Sequence, residues 1–498
     1  MSNRKYGILA PISSLPSEEG IGTLGEEAYR FIDFLSLSGA SVWQVLPLNP
    51  TNFGDSPYQS CSSDALNYYF IDLALLKKDG LLKEEEISST PLWDDVRRVN
   101  YGKLFINKLA LLRKAFSRFD GGEEFKAFKR EGSFNDFAVF MALKSAHGHR
   151  AWTEWGVYRN FNAGKVAAFA AANAEEISFW LFTQYIFLKQ WNALKRYANA
   201  HGVSIMGDIP LYVAYDSVEV WKYGSRLFKT DKNRNLTALA GCPPDAFTED
   251  GQLWGNPVYD WKKMRKQGYK WWRKRIESSF GLFDILRIDH FRGFDRYWEV
   301  PAGHNTARYG SWQDGPKEEL FKGFESYKIV AEDLGVIDGG VKRLMKNVGY
   351  PGMKVLIFAF DGNPENEHKP SNYTENFVCY TGTHDNMPLR QHIEDLSESA
   401  RDVYYRDIIS ECALADAEAD VSSPESATRS VIRLAFASKA ETVIIPMNDI
   451  LALGGESRIN LPSTVSEENW SWRFKKEDFN KEVGENLRRL AQAADRLS

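Results

Sequence analysis

The sequence predicts an α/β protein built on a closed barrel of eight parallel strands. Eight short runs rich in Val, Ile, Leu, Phe and Tyr recur along the 498 residues, with helical patterns between them. Strands that alternate with helices pair in parallel through right-handed crossovers. Three of the runs end in an acidic residue close to Gly or Asn. This is the pattern expected at the carboxyl ends of strands in a (β/α)8 barrel, where the active-site loops lie.

The order of the predicted strands fits such a barrel. The first is followed by an amphipathic helix, Glu26–Ser38, and the fifth by a helical stretch at 341–348. A doubly wound open sheet is the alternative that the same alternation allows. The eight predicted strands are 7–13, 41–47, 204–212, 284–291, 328–334, 353–360, 377–381 and 442–447.

The chain is about twice as long as the roughly 250 residues typical of this barrel. We expect one catalytic unit, 1–498, with two insertions. Residues 75–200 are rich in Lys, Glu, Ala, Leu and Phe, which predicts a mostly helical subdomain between the second and third strands, with a long helix near 175–200. Residues 216–260 are rich in Gly, Pro, Asn and aromatic residues and are predicted to form an active-site loop region, since loops of this length are usually functional.

Composition excludes several classes of protein. A formal charge of -5 and a pI near 6.0 provide no broad basic field, which argues against nucleic acid as a partner. No apolar stretch approaches the ~20 residues of a membrane span. The first apolar segment is interrupted by Pro11 and Pro16 and does not resemble a signal peptide. We therefore expect a soluble, cytoplasmic protein with no membrane partner.

Two motifs suggest a cofactor or a metal, and both fail in context. Residues 20–25 spell G-x-G-x-x-G, but the following strand does not end in the acid that would bind a dinucleotide ribose. Residues 231–235 imitate the start of an EF-hand loop, but Leu236 stands where that loop needs Gly. The four cysteines are far apart and form no C-x-x-C pair, which indicates reduced thiols. No cofactor and no metal are expected.

Three acidic residues stand at the ends of predicted strands: Asp289, Glu332 and Asp385. Taken singly, each would fit a capping, turn or ion-pair carboxylate. Their shared place favours a catalytic role, because the carboxyl ends of barrel strands converge on one face. Carboxylates gathered there suit glycosyl transfer, which needs one nucleophile and one proton donor.

The surroundings suggest a role for each acid. Asp289 suits the nucleophile, because Arg287 lies two residues earlier on the same side of the strand and brings a positive charge. Glu332 suits the acid/base, and its neighbour Asp333 is expected to point away from the pocket. Asp385 would bind sugar hydroxyls and stabilise an oxocarbenium-like state.

Several segments along nearly the whole chain are together specific for one family. They include G-I-L-A-P-I-S-S-L-P at 7–16, W-Q-V-L-P-L at 43–48, A-G-C-P-P-D-A-F at 240–247, G-Q-L-W-G-N-P at 251–257 and N-W-S-W-R at 469–473. With these segments and the surroundings of the three acids, the chain resembles the 4-α-glucanotransferases of glycoside hydrolase family 77, known as amylomaltase or disproportionating enzyme.

The resemblance implies a barrel of the α-amylase type and transfer of α-1,4-glucan segments to the 4-hydroxyl of an acceptor glucan or glucose, with retention of configuration and without a metal. It implies that Asp289 is the nucleophile, Glu332 the acid/base and Asp385 the transition-state stabiliser. One departure is Ser463, where the family has Gly or Ala. The resemblance also implies that the following residues contact sugar: Tyr58, Asp208, Gln252, Trp254, Asn256, Arg287, His290, His384 and Asn460.

Transfer and hydrolysis share one glycosyl-enzyme intermediate, so the catalytic residues do not distinguish them. The aromatic segment 240–261 is predicted to cover the cleft, to favour a sugar acceptor and to exclude water. The alternatives to a glucanotransferase are an α-1,4-glucan hydrolase and a catalytically silent glucan-binding protein.

Overall fold

The computed structural model describes residues 4–244, 249–335 and 337–497. Twelve strands and eighteen α-helices are defined in these ranges. The strands are β1 Lys5–Leu9, β2 Val42–Gln44, β3 Ser204–Ile209, β4 Ala238–Cys242, β5 Gln252–Pro257, β6 Ile285–Ile288, β7 Arg296–Pro301, β8 Ser311–Asp314, β9 Ile329–Ala331, β10 Gly352–Val355, β11 Phe377–Tyr380 and β12 Thr442–Pro446.

Helices surround the strands and fill the long insertion after β2. A π-helical turn, Leu104–Lys108, joins the fourth helix to the fifth. The helices are α1 Glu26–Ser38, α2 Leu73–Lys78, α3 Glu84–Ser88, α4 Tyr101–Lys103, α5 Leu109–Ser117, α6 Gly122–Glu131, α7 Asn135–Ala146, α8 Ala163–Ala172, α9 Ala174–Ala200, α10 Val218–Tyr223, α11 Trp261–Lys266, α12 Lys270–Leu282, α13 Gly339–Val348, α14 Leu389–Asp395, α15 Glu398–Leu414, α16 Pro424–Ala437, α17 Met447–Ile450 and α18 Lys481–Ala493.

Eight parallel strands form a nearly closed barrel in the order β10-β11-β12-β1-β2-β3-β6-β9. Each predicted strand corresponds to one of them, which confirms the barrel. The two end strands, β9 and β10, come together without a ladder in the described part of the chain. There the Ala331 N–H donates to the Pro351 carbonyl at 2.9 Å.

The barrel strands are short and almost completely buried, as expected for a parallel sheet covered on both faces. In β1, Gly7 permits a close approach to the next strand, since a Cβ there would lie 2.4 Å from the Val42 carbonyl oxygen. Ile8 and Leu9 follow it with no exposed surface.

The longest helix, α9, ties the insertion to the barrel loops. Glu175 and Glu176 lie in its first turn, where the helix dipole favours negative charge. The Gln184 side chain accepts from the Leu66 N–H at 2.7 Å and donates to the Leu66 carbonyl at 3.0 Å. Gln190 does the same with the backbone of Asp72, at 2.8 Å and 3.1 Å. The helix therefore fixes the chain at two points between β2 and α2.

The prediction of loop for 216–260 is wrong at β4 and β5. These strands pair antiparallel, and with β7 and β8 they form a second sheet in the order β5-β4-β7-β8. The short helix α10 lies in the same segment. The strands were missed because their sequences contain Gly and Pro, as loops do, and because β4 also pairs with the distant β7, a contact that leaves no local pattern. Residues 245–248, within the segment predicted to cover the cleft, lie outside the described residues.

None of the helices in the described ranges is long and apolar enough to cross a membrane.

Candidate active site

The three predicted catalytic acids follow the carboxyl ends of barrel strands. Asp289 directly follows β6, Glu332 directly follows β9, and Asp385 lies five residues beyond β11. A fourth acid, Asp208, lies near the end of β3 and pairs in register with Arg287 of β6. The barrel therefore orients all four acids from short, buried strands toward one end.

A buried arginine joins two of these acids. One Arg287 nitrogen lies 2.5 Å from Asp208 Oδ2, and another lies 3.1 Å from Asp289 Oδ1. Burial opposes the charge of Arg287, but the two carboxylates outweigh it and raise its pKa. Asp208 also accepts from the Tyr58 hydroxyl at 2.8 Å, while its Oδ1 is buried without a partner among the described residues. A fixed positive charge thus lies beside Asp289.

Glu332 is buried and held by backbone amides on both carboxyl oxygens. Oε2 accepts from the His290 N–H at 2.7 Å, and Oε1 accepts from the Leu334 N–H at 2.7 Å. Burial, and then the negative charge of Asp289, raise the pKa of Glu332 to about 8. A protonated carboxyl therefore lies next to an ion-paired carboxylate, which is the division of roles that acid-assisted glycosyl chemistry requires.

Asp385 is anchored by residues more than seventy positions later in the chain. Its Oδ1 accepts from Asn460 Nδ2 at 2.6 Å. Its backbone carbonyl accepts from Arg458 at 2.8 Å. His384 Nε2 lies 3.4 Å from the other carboxyl oxygen. The Asp385 side chain remains 42% exposed and therefore accessible to a ligand.

The segment that carries Asp385 is held at both ends by one buried carboxyl group. Asp449 Oδ2 accepts from the Thr381 hydroxyl at 2.6 Å, and Oδ1 accepts from the Leu389 N–H at 2.8 Å. Burial raises the pKa of Asp449 to about 6. Asp449 therefore fixes residues 381–389, in which Asp385 lies.

Aromatic rings form one wall near Asp208 and Asp385. The ring of Tyr58 stacks on His384, with centroids 5.0 Å apart and planes inclined by 12°. Trp470 packs against both, at 5.6 Å from Tyr58 and 5.9 Å from His384. Such rings suit the apolar faces of sugar residues.

Residues of β5 reach the site from the second sheet. The Trp254 ring meets His290 edge to face, with centroids 4.8 Å apart, and its indole N–H donates to Gln252 at 3.1 Å. Asn256 is buried, donates to the Val213 carbonyl at 2.9 Å and accepts from Gln59 at 3.1 Å. Gln252, Trp254 and His290 are thus brought together, whereas Asn256 is engaged in holding the neighbouring backbone.

The conformation and charge of His290 are unusual. The residue has φ of 49° and is among the few residues other than glycine in the left-handed region, and its N–H donates to Glu332. Burial lowers the pKa of His290 to about 4, so its imidazole is neutral near pH 7.

Sequence reasoning did not assign roles to Arg458, Gln59 or Trp470, although all contact predicted site residues. Arg458 lies two residues before Asn460, and Gln59 follows Tyr58, so proximity in sequence could have indicated them. In the described ranges, no group of three or more His, Cys, Asp or Glu side chains is arranged to hold a metal ion.

The barrel, with a protonated carboxyl and an ion-paired carboxylate at its carboxyl end, defines an enzyme class that acts on glycosidic bonds. Residues 10–478 match glycoside hydrolase family 77, described as 4-alpha-glucanotransferase. The chain belongs to this family of enzymes.

Relatives over the full length agree with this assignment. The 4-alpha-glucanotransferase of Clostridium butyricum is 41% identical over 493 residues, which cover 97% of this chain and 98% of the relative. That of Thermus thermophilus is 41% identical over 509 residues, with 99% of each chain covered.

Solved structures show the same architecture. The amylomaltase from Streptococcus agalactiae in complex with acarbose superposes with a TM-score of 0.92 at 38% identity, over 99% of each chain. The amylomaltase from Corynebacterium glutamicum shares the fold at 18% identity, with a TM-score of 0.78 over 99% of this chain and 75% of that one.

Proposed function

We propose that the enzyme transfers α-1,4-glucan segments to the 4-hydroxyl of an acceptor glucan or glucose by retaining double displacement. Asp289 is the nucleophile, Glu332 the acid/base and Asp385 the transition-state stabiliser. The observation that carries the proposal is the contrast between two adjacent carboxyl groups. Glu332 is buried with its pKa raised to about 8, while Asp289 is paired with Arg287.

In the first displacement, Glu332 gives its proton to the glycosidic oxygen as the bond to the anomeric carbon breaks. An oxygen of Asp289 forms a bond to that carbon, and the shortened glucan leaves as an alcohol. In the second displacement, Glu332 takes the proton of the acceptor 4-hydroxyl. The acceptor oxygen bonds to the anomeric carbon, and the bond to Asp289 breaks. Two inversions leave the α configuration unchanged.

Positive charge develops on the sugar ring during both displacements. Asp385 suits this charge, since its side chain is partly exposed while Asn460 holds one of its oxygens at 2.6 Å. Preorganised charge of this kind needs no reorganisation as the reaction proceeds. Arg287 keeps Asp208 and Asp289 in place on the opposite side of the site.

Sugar contacts follow from the same geometry. The stacked pair of Tyr58 and His384 offers an apolar surface, and the buried Asp208 holds the Tyr58 hydroxyl in place. On the other side, Trp254 and the neutral His290 form a corner where a glucose unit can pack. Gln252 supports the Trp254 indole, and Asn256 fixes the backbone below it.

Transfer exceeds hydrolysis when a sugar, rather than water, occupies the acceptor position. Trp254 contacts His290, the residue that follows the proposed nucleophile Asp289 in sequence. Its ring would pack against an acceptor glucan and displace water from the acceptor position. The acceptors we propose are maltooligosaccharides and glucose.

Incubation of the purified enzyme with maltotriose, alongside Asp289→Asn, tests this function. We expect a series of longer maltooligosaccharides together with glucose, absent in the variant. Glucose and maltose alone would identify an α-glucan hydrolase. Glucan binding without turnover in the wild type would identify a silent binding protein.

A further inference from the structure

The barrel has one seam, between β9 and β10, and a side chain bridges it. The strands share no ladder in the described ranges, and the Ala331 N–H to the Pro351 carbonyl is their backbone link. Two residues further on, Asp333 Oδ1 accepts from the Met353 N–H at 2.6 Å. A carboxylate therefore occupies the place of a strand carbonyl.

The opposite strand is shaped to receive this carboxylate. A Cβ added at Gly352 would lie 2.5 Å from Asp333 Oδ2 and 2.8 Å from Oδ1. Any larger residue would displace the carboxylate from the seam. Lys354, buried on the same strand, adds a favourable positive charge near Asp333. The contact thus joins a short acceptor side chain to a glycine on the opposite strand.

Asp333 also lies in the chain between Glu332 and one of the two backbone amides that hold it. It directly follows Glu332, and it directly precedes Leu334, whose N–H donates to Glu332 Oε1 at 2.7 Å. Since the backbone is continuous, a shift of Asp333 displaces both the carboxyl group and one of its two amide donors.

We propose that Asp333 is a positioning residue for the acid/base: by closing the barrel seam onto Met353, it fixes Glu332 relative to Asp289. This inference rests on the proposed role of Glu332. A purely structural role for Asp333 would lower every step of the reaction alike. A positioning role lowers the steps that need proton transfer and spares those that do not.

Two donor substrates separate these possibilities. Transfer from maltotriose needs Glu332 to protonate the leaving sugar oxygen. With α-maltotriosyl fluoride, the carbon–fluorine bond breaks as Asp289 attacks, and fluoride leaves as an anion without a proton. Azide then attacks the glycosyl-enzyme as an anion, so its carbon–nitrogen bond forms, and the bond to Asp289 breaks, without a base. Fluoride release in the presence of azide therefore reports catalysis independent of Glu332.

We expect Asp333→Ala to lower kcat/KM for maltotriose by about 10-fold or more. This loss is smaller than the rate enhancement of about 10²–10⁴-fold that a complete acid/base contributes, because Glu332 is displaced and not removed. Its fluoride release with azide should stay within about three-fold of the wild type. Asp333→Asn keeps an acceptor for the Met353 N–H and should restore most transfer. Gly352→Ala, which displaces the carboxylate from the other side of the seam, should show the same selective loss and replaces Asp333→Ala if that variant does not fold.

Matched variants complete the test. Asp420 accepts an N–H only two residues away, from Ser422, and Asp420→Ala should change neither rate. Equal losses on both substrates in Asp333→Ala and Gly352→Ala, or no loss on either, would overturn the inference. Glu332→Gln examines the proposed function itself. If it loses fluoride release as strongly as maltotriose transfer, the acid/base assignment fails, whatever the behaviour of Asp333.

Discussion

Glu332 Oε2 accepts a hydrogen bond of 2.7 Å from the backbone N–H of His290, the residue that directly follows Asp289. The Glu332 carboxyl group is therefore held by the same stretch of main chain that carries Asp289. Backbone atoms in short buried strands move less than long side chains, so the separation of the two groups is well defined.

The pH dependence of the reaction should report Glu332. We expect kcat/KM for maltotriose to fall as pH rises through about 8, because Glu332 must hold a proton to assist departure of the leaving sugar. Glu332→Gln should lower kcat/KM by about 10²–10⁴-fold and remove this alkaline limb. An alkaline limb that persists unchanged in Glu332→Gln would contradict the assignment.

Removal of Arg287 should destabilise the fold as well as abolish activity. Arg287→Ala leaves Asp208 and Asp289 close together without their shared counter-charge. Breaking a buried ion pair in this way costs about 3–5 kcal/mol in the free energy of unfolding. Urea unfolding measures it, with Arg30→Ala as the control, since the ion pair of Arg30 with Glu26 is exposed. A loss no larger than that of the control would show that the buried cluster is not stabilising.

Asn460 should affect the rate more than substrate binding. Asn460→Ala removes the donor to Asp385 Oδ1, and a hydrogen bond to a charged group is worth about 1.5–3 kcal/mol. We expect kcat to fall by about 10–100-fold with little change in KM. Ser463→Gly, on the same segment, is the control, because Ser463 has φ of 62° and a longer contact of 3.4 Å to Gln252. Equal effects of the two variants would argue against a specific role for Asn460.

Asp449 should make stability depend on pH in a defined window. Burial raises its pKa in the folded state from 3.8 to about 6, so the folded protein binds the proton more tightly than the unfolded chain. This contribution to stability is complete below about pH 4 and is lost as pH rises to about 6. The free energy of unfolding of the wild type should therefore fall relative to Asp449→Asn across this window. A constant difference between the two proteins would refute the expectation.

Trp254 should influence the choice between sugar and water. Trp254→Ala opens the side of the cleft next to His290, so we expect the ratio of hydrolysis to transfer to rise several-fold, measured from glucose release and chain redistribution with maltotriose. Trp93→Ala, an exposed tryptophan of the segment between β2 and β3, provides the comparison. An unaltered ratio in Trp254→Ala would show that its ring does not exclude water.

The sequence predicted the parts of the molecule whose signals are local. All eight barrel strands are buried apolar runs, and α1 and α9 have the periodicity and first-turn acids of helices. Asp289, Glu332 and Asp385 could be identified because each directly follows such a run or lies a few residues beyond it. The strands β4 and β5 could not be identified, since their Gly- and Pro-containing sequences resemble loops and the second partner of β4, β7, is distant in sequence.

Contacts between residues that are distant in sequence could not be predicted either. Arg458 and Asn460 bind Asp385 from residues that lie in no strand or helix, and Trp470 packs on Tyr58 although the two are 412 positions apart in sequence. The expectation that Asp333 points away from the pocket rested on strand alternation alone. Its bond to Met353 depends on the closure of the barrel, which no local pattern describes.

The pairing of β4 with β7 has a consequence for engineering the cleft. β7 begins soon after Asp289, and β4 lies in register with it, Ala240 opposite Glu299 and Gly241 opposite Trp298. The sheet that carries Trp254 is therefore anchored to the segment after Asp289 by the ladder between β4 and β7. We expect that loop grafting between β4 and β5 can alter the size distribution of the products while the barrel end keeps its shape, which would make this sheet a modular part of the enzyme.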